Sequence, residues 1–171
     1  MGNPRVIQVV GYKNSGKTTL VSSWVKLAKQ MNKKVLTIKN HGHQSDLELP
    51  DSSVDSMQHF NQGADCSIAF GNGVLQMHKR VSQTVNLENF LSDSDFQEYD
   101  LIIVEGFKHE RFPKVVILRN EEDHTLINEL TNIKLAITHG SIMNSFDLVS
   151  INDTDKINTW FKGWVHNGEK I

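Results

Sequence analysis

Gly11-Tyr12-Lys13-Asn14-Ser15-Gly16-Lys17-Thr18-Thr19 follows the apolar run Val6-Ile7-Gln8-Val9-Val10 and leads directly into Leu20 to Met31, a stretch of helical periodicity. The spacing is G-x-x-x-x-G-K-[ST] with a strand before it and a helix after it, the context a phosphate-binding loop requires. Gly11 and Gly16 allow the backbone to curl so that successive N–H groups converge on an anion. The new helix adds its free N–H groups and the positive end of its dipole. Lys17 is placed to bridge outer phosphates, Thr18 to offer a hydroxyl to Mg²⁺, and Thr19 to donate to an inner phosphate. The bland alternative is a strand–helix turn with an incidental lysine; the agreement of motif, strand and helix argues against it.

Outward from this loop the chain alternates. Leu20, Trp24, Leu27 and Met31 form the apolar stripe of a helix, and Lys34 to Ile38 reads as a second strand. Lys39 to Ser53 is a long polar connection, a length usually reserved for functional loops. Ser52 or Ser53 is expected to cap a helix running to about Gln62, with Gly63 as its stop. Cys66 to Phe70 and Val74 to Arg80, joined through Gly71-Asn72-Gly73, read as a β-hairpin. Leu87 to Leu91 is a short helix. Leu101 to Val104, Val115 to Leu118 and Leu135 to Ile137 are strands, the first apolar enough to be buried on both faces. Asp153-Thr154-Asp155 caps a final helix whose Ile157, Trp160, Phe161, Trp164 and Val165 share one face. The fold class expected is α/β: a P-loop NTPase three-layer sandwich, mostly parallel, with an antiparallel hairpin excursion, formed as a single nucleotide-binding domain over residues 1–171.

A phosphate loop needs an acidic partner for Mg²⁺ at the carboxyl end of a neighbouring buried strand. Leu101-Ile102-Ile103-Val104 delivers Glu105 there, and Gly106 leaves room for a terminal phosphate. Glu stands where many such enzymes use Asp, which suits a metal held through water or a carboxylate that orients water. Asp46, in the polar loop, is a further candidate for the metal region. His41 and His43 invite a transition-metal reading with His59 or Cys66, but no compact Cys/His set has structural-zinc spacing. His41, His43, Gly106 and Lys108 are read instead as parts of loops that contact phosphates or a partner. The residues 107–114 form the second charged segment at that edge.

Composition narrows the classes. The 171 residues carry a formal net charge of −2, which gives no electrostatic reason to expect nucleic acid or an anionic membrane. One cysteine, Cys66, excludes an intramolecular disulfide and fits a reducing compartment. No apolar run approaches a membrane span, and Val6 opens the first strand too early for a signal peptide. A cytoplasmic protein is expected.

Gly11 to Thr19, Thr37-Ile38-Lys39 with its His-bearing loop, Pro50-Asp51-Ser52, Gln62-Gly63-Ala64 and Val104-Glu105-Gly106-Phe107-Lys108-His109-Glu110 occur in this order. Together they resemble the molybdopterin-guanine dinucleotide biosynthesis adapter family, MobB, from about residue 5 to the C-terminal helix. The resemblance implies a weakly hydrolytic, homodimeric GTP-binding protein that uses Mg²⁺. It implies further that this protein assists the guanylyltransferase making the guanine dinucleotide form of molybdenum cofactor, with molybdopterin itself a candidate ligand. Asn40 stands where the family often has His, which weakens any essential role for a His pair. Two other classes compete. A small-molecule kinase would need clustered cations over the γ-phosphate, whereas Arg80, Arg111 and Arg119 are scattered in the sequence. A metal-insertion GTPase is permitted by His-x-His but has few other ligands. No Asn-Lys-x-Asp occurs to read guanine, so GTP over ATP rests on the resemblance.

Overall fold

Arg5–Val10 (β1) is the centre of the architecture, because it is buried on both faces and has a strand on each side. The computed structural model describes residues 3–41, 47, 49–81, 86–92, 94–140 and 148–167. Two compact units emerge, Met1–Gly42 with Leu87–Ile171, and His43–Asn86. In the larger unit, Val35–Lys39 (β2), Leu101–Glu105 (β5), Lys114–Leu118 (β6), Ile133–Thr138 (β7) and Leu148–Ser150 (β8) join β1 in the order β2-β5-β1-β6-β7-β8. Every pairing in this sheet is parallel. Each crossover therefore returns the chain to the same edge, and the carboxyl ends of β1, β2 and β5 lie together.

Helices cover both faces of the sheet. Lys17–Gln30 (α1) and Thr154–Asn167 (α5) pack on one face against Ile7, Val9, Ile103, Val115, Ile117 and Ile137. Trp24 is fully buried there, stacked on Phe161 at 4.4 Å between ring centroids and on Trp160 at 6.1 Å. Asp153 caps α5 by accepting from the Lys156 N–H at 3.1 Å. On the other face Leu87–Leu91 (α3) covers Val6, Ile102 and Val104, and Thr125–Glu129 (α4) covers Val10, Val116 and Leu118. These are the three layers that the alternation of elements predicts. Both α4 and β8, of five and three residues, escape the sequence reading.

The smaller unit holds Asp55–Asn61 (α2) and the antiparallel pair Cys66–Gly71 (β3) and Val74–Lys79 (β4). Asn72 and Gly73 both take positive φ, the two-residue turn that an Asn-Gly pair favours. The hairpin is a two-stranded sheet of its own. The expected Ser cap of α2 is absent: Val54 holds the cap position, and Asp51 accepts from the Ser53 N–H one turn earlier. Ser67 Oγ donates to the Ser56 carbonyl, and the Arg80 guanidinium lies 4.4 Å from the Phe60 ring centre, fastening α2 to the hairpin.

Candidate functional site

The loop between β1 and α1 has the curled backbone that its glycines imply. Gly11 adopts φ +156°, and a Cβ there would lie 2.7 Å from both the Ile117 carbonyl oxygen and Ser15 Oγ. Gly16, at φ +90°, starts α1 with no side chain capping the helix N–H groups. Ser15 is fully buried, and its hydroxyl finds no hydrogen-bond partner among the described residues. A buried hydroxyl left unpaired beside uncapped N–H groups suits an acceptor-rich anion. The rim is pinned from just beyond β7, where His139 Nε2 donates to the Ser15 carbonyl at 3.0 Å. Tyr12, Lys13, Asn14, Thr18 and Thr19 are exposed.

Lys17, Thr18 and Glu105 converge as their positions predict. Lys17 Nζ donates to the Tyr12 carbonyl at 2.6 Å, curling back over the loop. Burial draws its ammonium below the ordinary lysine range; Glu105 opposes the shift, and Lys39 and Arg119 reinforce it. Thr18 Oγ1 donates to Glu105 Oε1 at 2.8 Å. The hydroxyl and carboxylate are hard oxygen donors of the kind Mg²⁺ takes, and both stand beside the phosphate loop, so the residues fit that ion. The Glu105 side chain is only 9% exposed, and its charge is met by Lys39 Nζ at 3.4 Å. Lys39 is a site residue that sequence spacing does not reveal. It ends β2, whose register pairs Lys39 with Glu105 on β5.

The segment after Glu105 is gripped from beneath. Gly106 and Phe107 both have positive φ. Fully buried Gln8 donates through Nε2 to both their carbonyls, at 3.1 and 2.7 Å. Its register partner on β6, Lys114, is also fully buried and donates to the carbonyls of Glu110 and of Phe112. Two polar side chains inside an apolar sheet thus hold the segment 106–113 through four of its carbonyl groups. Burial lowers the Lys114 ammonium to about 8, with the Glu110 carboxylate pulling the other way. An unfolded lysine titrates near ~10.4. Between these values the unfolded chain binds more protons, so stability should rise with pH, and below about 8 the full penalty applies. Urea unfolding of the native protein and Lys114→Met from pH 7.5 to 10 should show the native protein gaining on the variant. The gain should not exceed about 1.4 kcal/mol per pH unit, the limit for one proton. A difference flat in pH would mean that Lys114 is not buried as a charge.

Of the arginines that look scattered in the sequence, Arg119 is brought to the loop. At the end of β6 its Nε and Nη2 grip Asp123 at 2.8 Å each, its Nη1 donates to the Lys13 carbonyl at 3.2 Å, and its guanidinium lies 5.3 Å from the Tyr12 ring centre. The Arg119 hydrogen bonds hold the buried Asp123 carboxyl below its usual range. Lys108 approaches the same tyrosine ring, at 5.4 Å. Cations therefore gather at the loop, although Asp123 already engages the guanidinium of Arg119.

Asp46 and His43 lie outside the described residues, and His41 is exposed. His59 and Cys66 belong to the smaller unit. Among the described residues no three His, Cys, Asp or Glu side chains gather as a metal cage, and no helix is long and apolar enough to cross a membrane.

The family model described as "Molybdopterin guanine dinucleotide synthesis protein B", MobB, matches residues 6–139. A Bacillus subtilis (strain 168) protein named "Probable molybdopterin-guanine dinucleotide biosynthesis adapter protein" is 35% identical over 118 residues, covering 69% of this chain and 67% of that one. The crystal structure of a MobB homolog from Bacillus stearothermophilus superposes with TM-score 0.76 at 34% identity, covering 94% of this chain and 97% of the other. Bacillus subtilis MobB superposes with TM-score 0.77 at 28% identity, covering 92% and 96%. The phosphate loop, the Glu105 strand and the gripped segment after it all fall inside the matched residues, and the chain belongs to the MobB family.

Proposed function

We propose that this protein is a Mg²⁺-dependent GTP-binding adapter that works as a homodimer in the cytoplasm with the guanylyltransferase forming molybdopterin guanine dinucleotide. The observation that carries the nucleotide part is the Thr18–Glu105 contact of 2.8 Å beside a glycine-framed loop with an unpaired buried hydroxyl. The pathway is supported by the names of the relatives. In this reading the loop N–H groups and Lys17 hold the phosphates, Thr18 and Glu105 hold the ion, and Lys13 and Tyr12 form the outer rim. Bound Mg²⁺ would supply charge neutralisation at the outer phosphates. The segment 106–113 leaves the sheet next to Glu105 and is the candidate face for displaying nucleotide state to a partner.

A kinase reading gains little from Arg119, because its guanidinium is spent on Asp123 and the loop backbone. The test is calorimetry with GTP and ATP, each with and without Mg²⁺. It is followed by assays of GTP hydrolysis and of dinucleotide cofactor formation, using each protein alone and both together. Mg²⁺-dependent GTP binding, slow hydrolysis alone and a gain in product with the transferase are expected. Rapid hydrolysis by the isolated protein with no effect on the transferase would overturn the adapter reading.

A further inference from the structure

Three groups meet at the carboxyl edge of β2, β5 and the start of α1. Thr18 Oγ1 donates to Glu105 Oε1 at 2.8 Å, and Lys39 Nζ stands 3.4 Å from that carboxylate oxygen and 3.5 Å from the hydroxyl. The two oxygens that fit Mg²⁺ are thus the same two that the Lys39 ammonium faces. We propose that Lys39 is a built-in competitor for the divalent ion: its ammonium neutralises Glu105 and must withdraw when Mg²⁺ takes these oxygens. This rests on the Mg²⁺ reading given above.

Geometry separates Lys39 from the other cations at the loop. Its two contacts are longer than the 2.7–3.2 Å of a well-made N–H···O bond. Lys17 sits 2.6 Å from a carbonyl, and Arg119 is clamped at three nitrogens. The Lys39 side chain is 51% exposed, whereas Glu105 is 9% exposed. Such an ammonium on a four-carbon stem can swing into water, while the carboxylate stays fixed in β5. Glu105 cannot remain buried with its charge unmet at little cost, so one cation or the other must serve it. Two cations within about 4 Å repel strongly enough to exclude joint occupancy. The backbone at this corner holds its place during the exchange: the Asn40 N–H donates to the Glu105 carbonyl at 2.9 Å. The competitor therefore sets a threshold, so that the ion enters with its full complement of phosphate oxygens and poorly alone.

The test uses the full-length protein and Mn²⁺ as a paramagnetic substitute for Mg²⁺. Free Mn²⁺ is followed by electron paramagnetic resonance, with and without saturating GTP. Lys39→Met should bind Mn²⁺ about 5-fold or more tightly than the native protein in the presence of GTP. Lys39→Arg, which keeps the charge, should stay near the native value. Circular dichroism establishes that each variant is folded. Equal or weaker Mn²⁺ binding by folded Lys39→Met would overturn the inference and make Lys39 a phosphate contact or a bystander. Glu105→Gln separates the two levels of the argument. If Mn²⁺ binding is indifferent to Glu105→Gln, the ion assignment itself fails, and the competition falls with it. If Glu105→Gln weakens Mn²⁺ binding but Lys39→Met changes nothing, the competition alone fails.

Discussion

Gly11→Ala should lower the thermal midpoint by about 6–12 °C and remove measurable nucleotide binding. The added Cβ would fall 2.7 Å from the Ile117 carbonyl oxygen, a backbone atom of the adjacent strand that cannot turn aside. It would also press on Ser15, which is fully buried. A forced backbone conformation costs an L-residue about 1–2 kcal/mol, and overpacking adds about 1–3 kcal/mol. A combined loss near ~3 kcal/mol corresponds to the stated shift in a domain of this size, at about 2–4 °C per kcal/mol. Gly16→Ala isolates the two effects, since φ there is +90° but the nearest atom to a new Cβ is His139 Nε2 at 3.9 Å. It should cost only the backbone part. Differential scanning calorimetry of both variants decides the matter, and equal midpoints would show that the Gly11 contact relaxes freely.

Lys17→Ala should weaken triphosphate binding by about 10- to 150-fold while leaving the fold intact. One charge-assisted hydrogen bond contributes about 1.5–3 kcal/mol, and each ~1.4 kcal/mol is tenfold in affinity. The fold should survive because, among the described residues, the ammonium hydrogen-bonds only to the Tyr12 carbonyl. Its neighbours sharpen the expectation: Lys39 and Arg119 both act against the Lys17 charge, so an entering phosphate relieves repulsion as well as gaining a partner. Isothermal titration with GTP reads the change. An unaltered affinity in a folded variant would remove Lys17 from the site.

What could be read in advance followed local pattern. The β1–loop–α1 unit, the Glu105 strand, the hairpin and the α5 stripe each announce themselves by a period, a glycine pair or a motif. Lys39, Gln8, Lys114, Arg119 and His139 do not, because their roles arise from register between strands distant in sequence. Gln8 and Lys114 look like polar interruptions of apolar runs until β1 and β6 are paired. Only then do they lie side by side under one segment. Arg119 counts as scattered until β6 is placed beside the loop. His139 follows an ordinary buried strand, and nothing nearby marks it as a partner for Ser15. The cap of α2 eludes the sequence for a different reason. Several turn-forming residues stand in a row there, and composition does not choose among them.

The position of β1 also governs the order in which the molecule can assemble. Its two neighbours are β5 and β6, paired through Arg5 with Leu101 and through Val10 with Val116. A ribosome must therefore deliver most of the chain before the first strand meets either of them. At about 5–20 residues per second this delay lasts several seconds. Over that interval Val6 to Val10 is an apolar segment waiting in solution, a natural client for holding chaperones. The β3–β4 hairpin, closed by Asn72 and Gly73, needs only contacts close in sequence and can form while the rest is still emerging. The nucleotide loop, first among the motifs to be translated, is among the last structures to be completed.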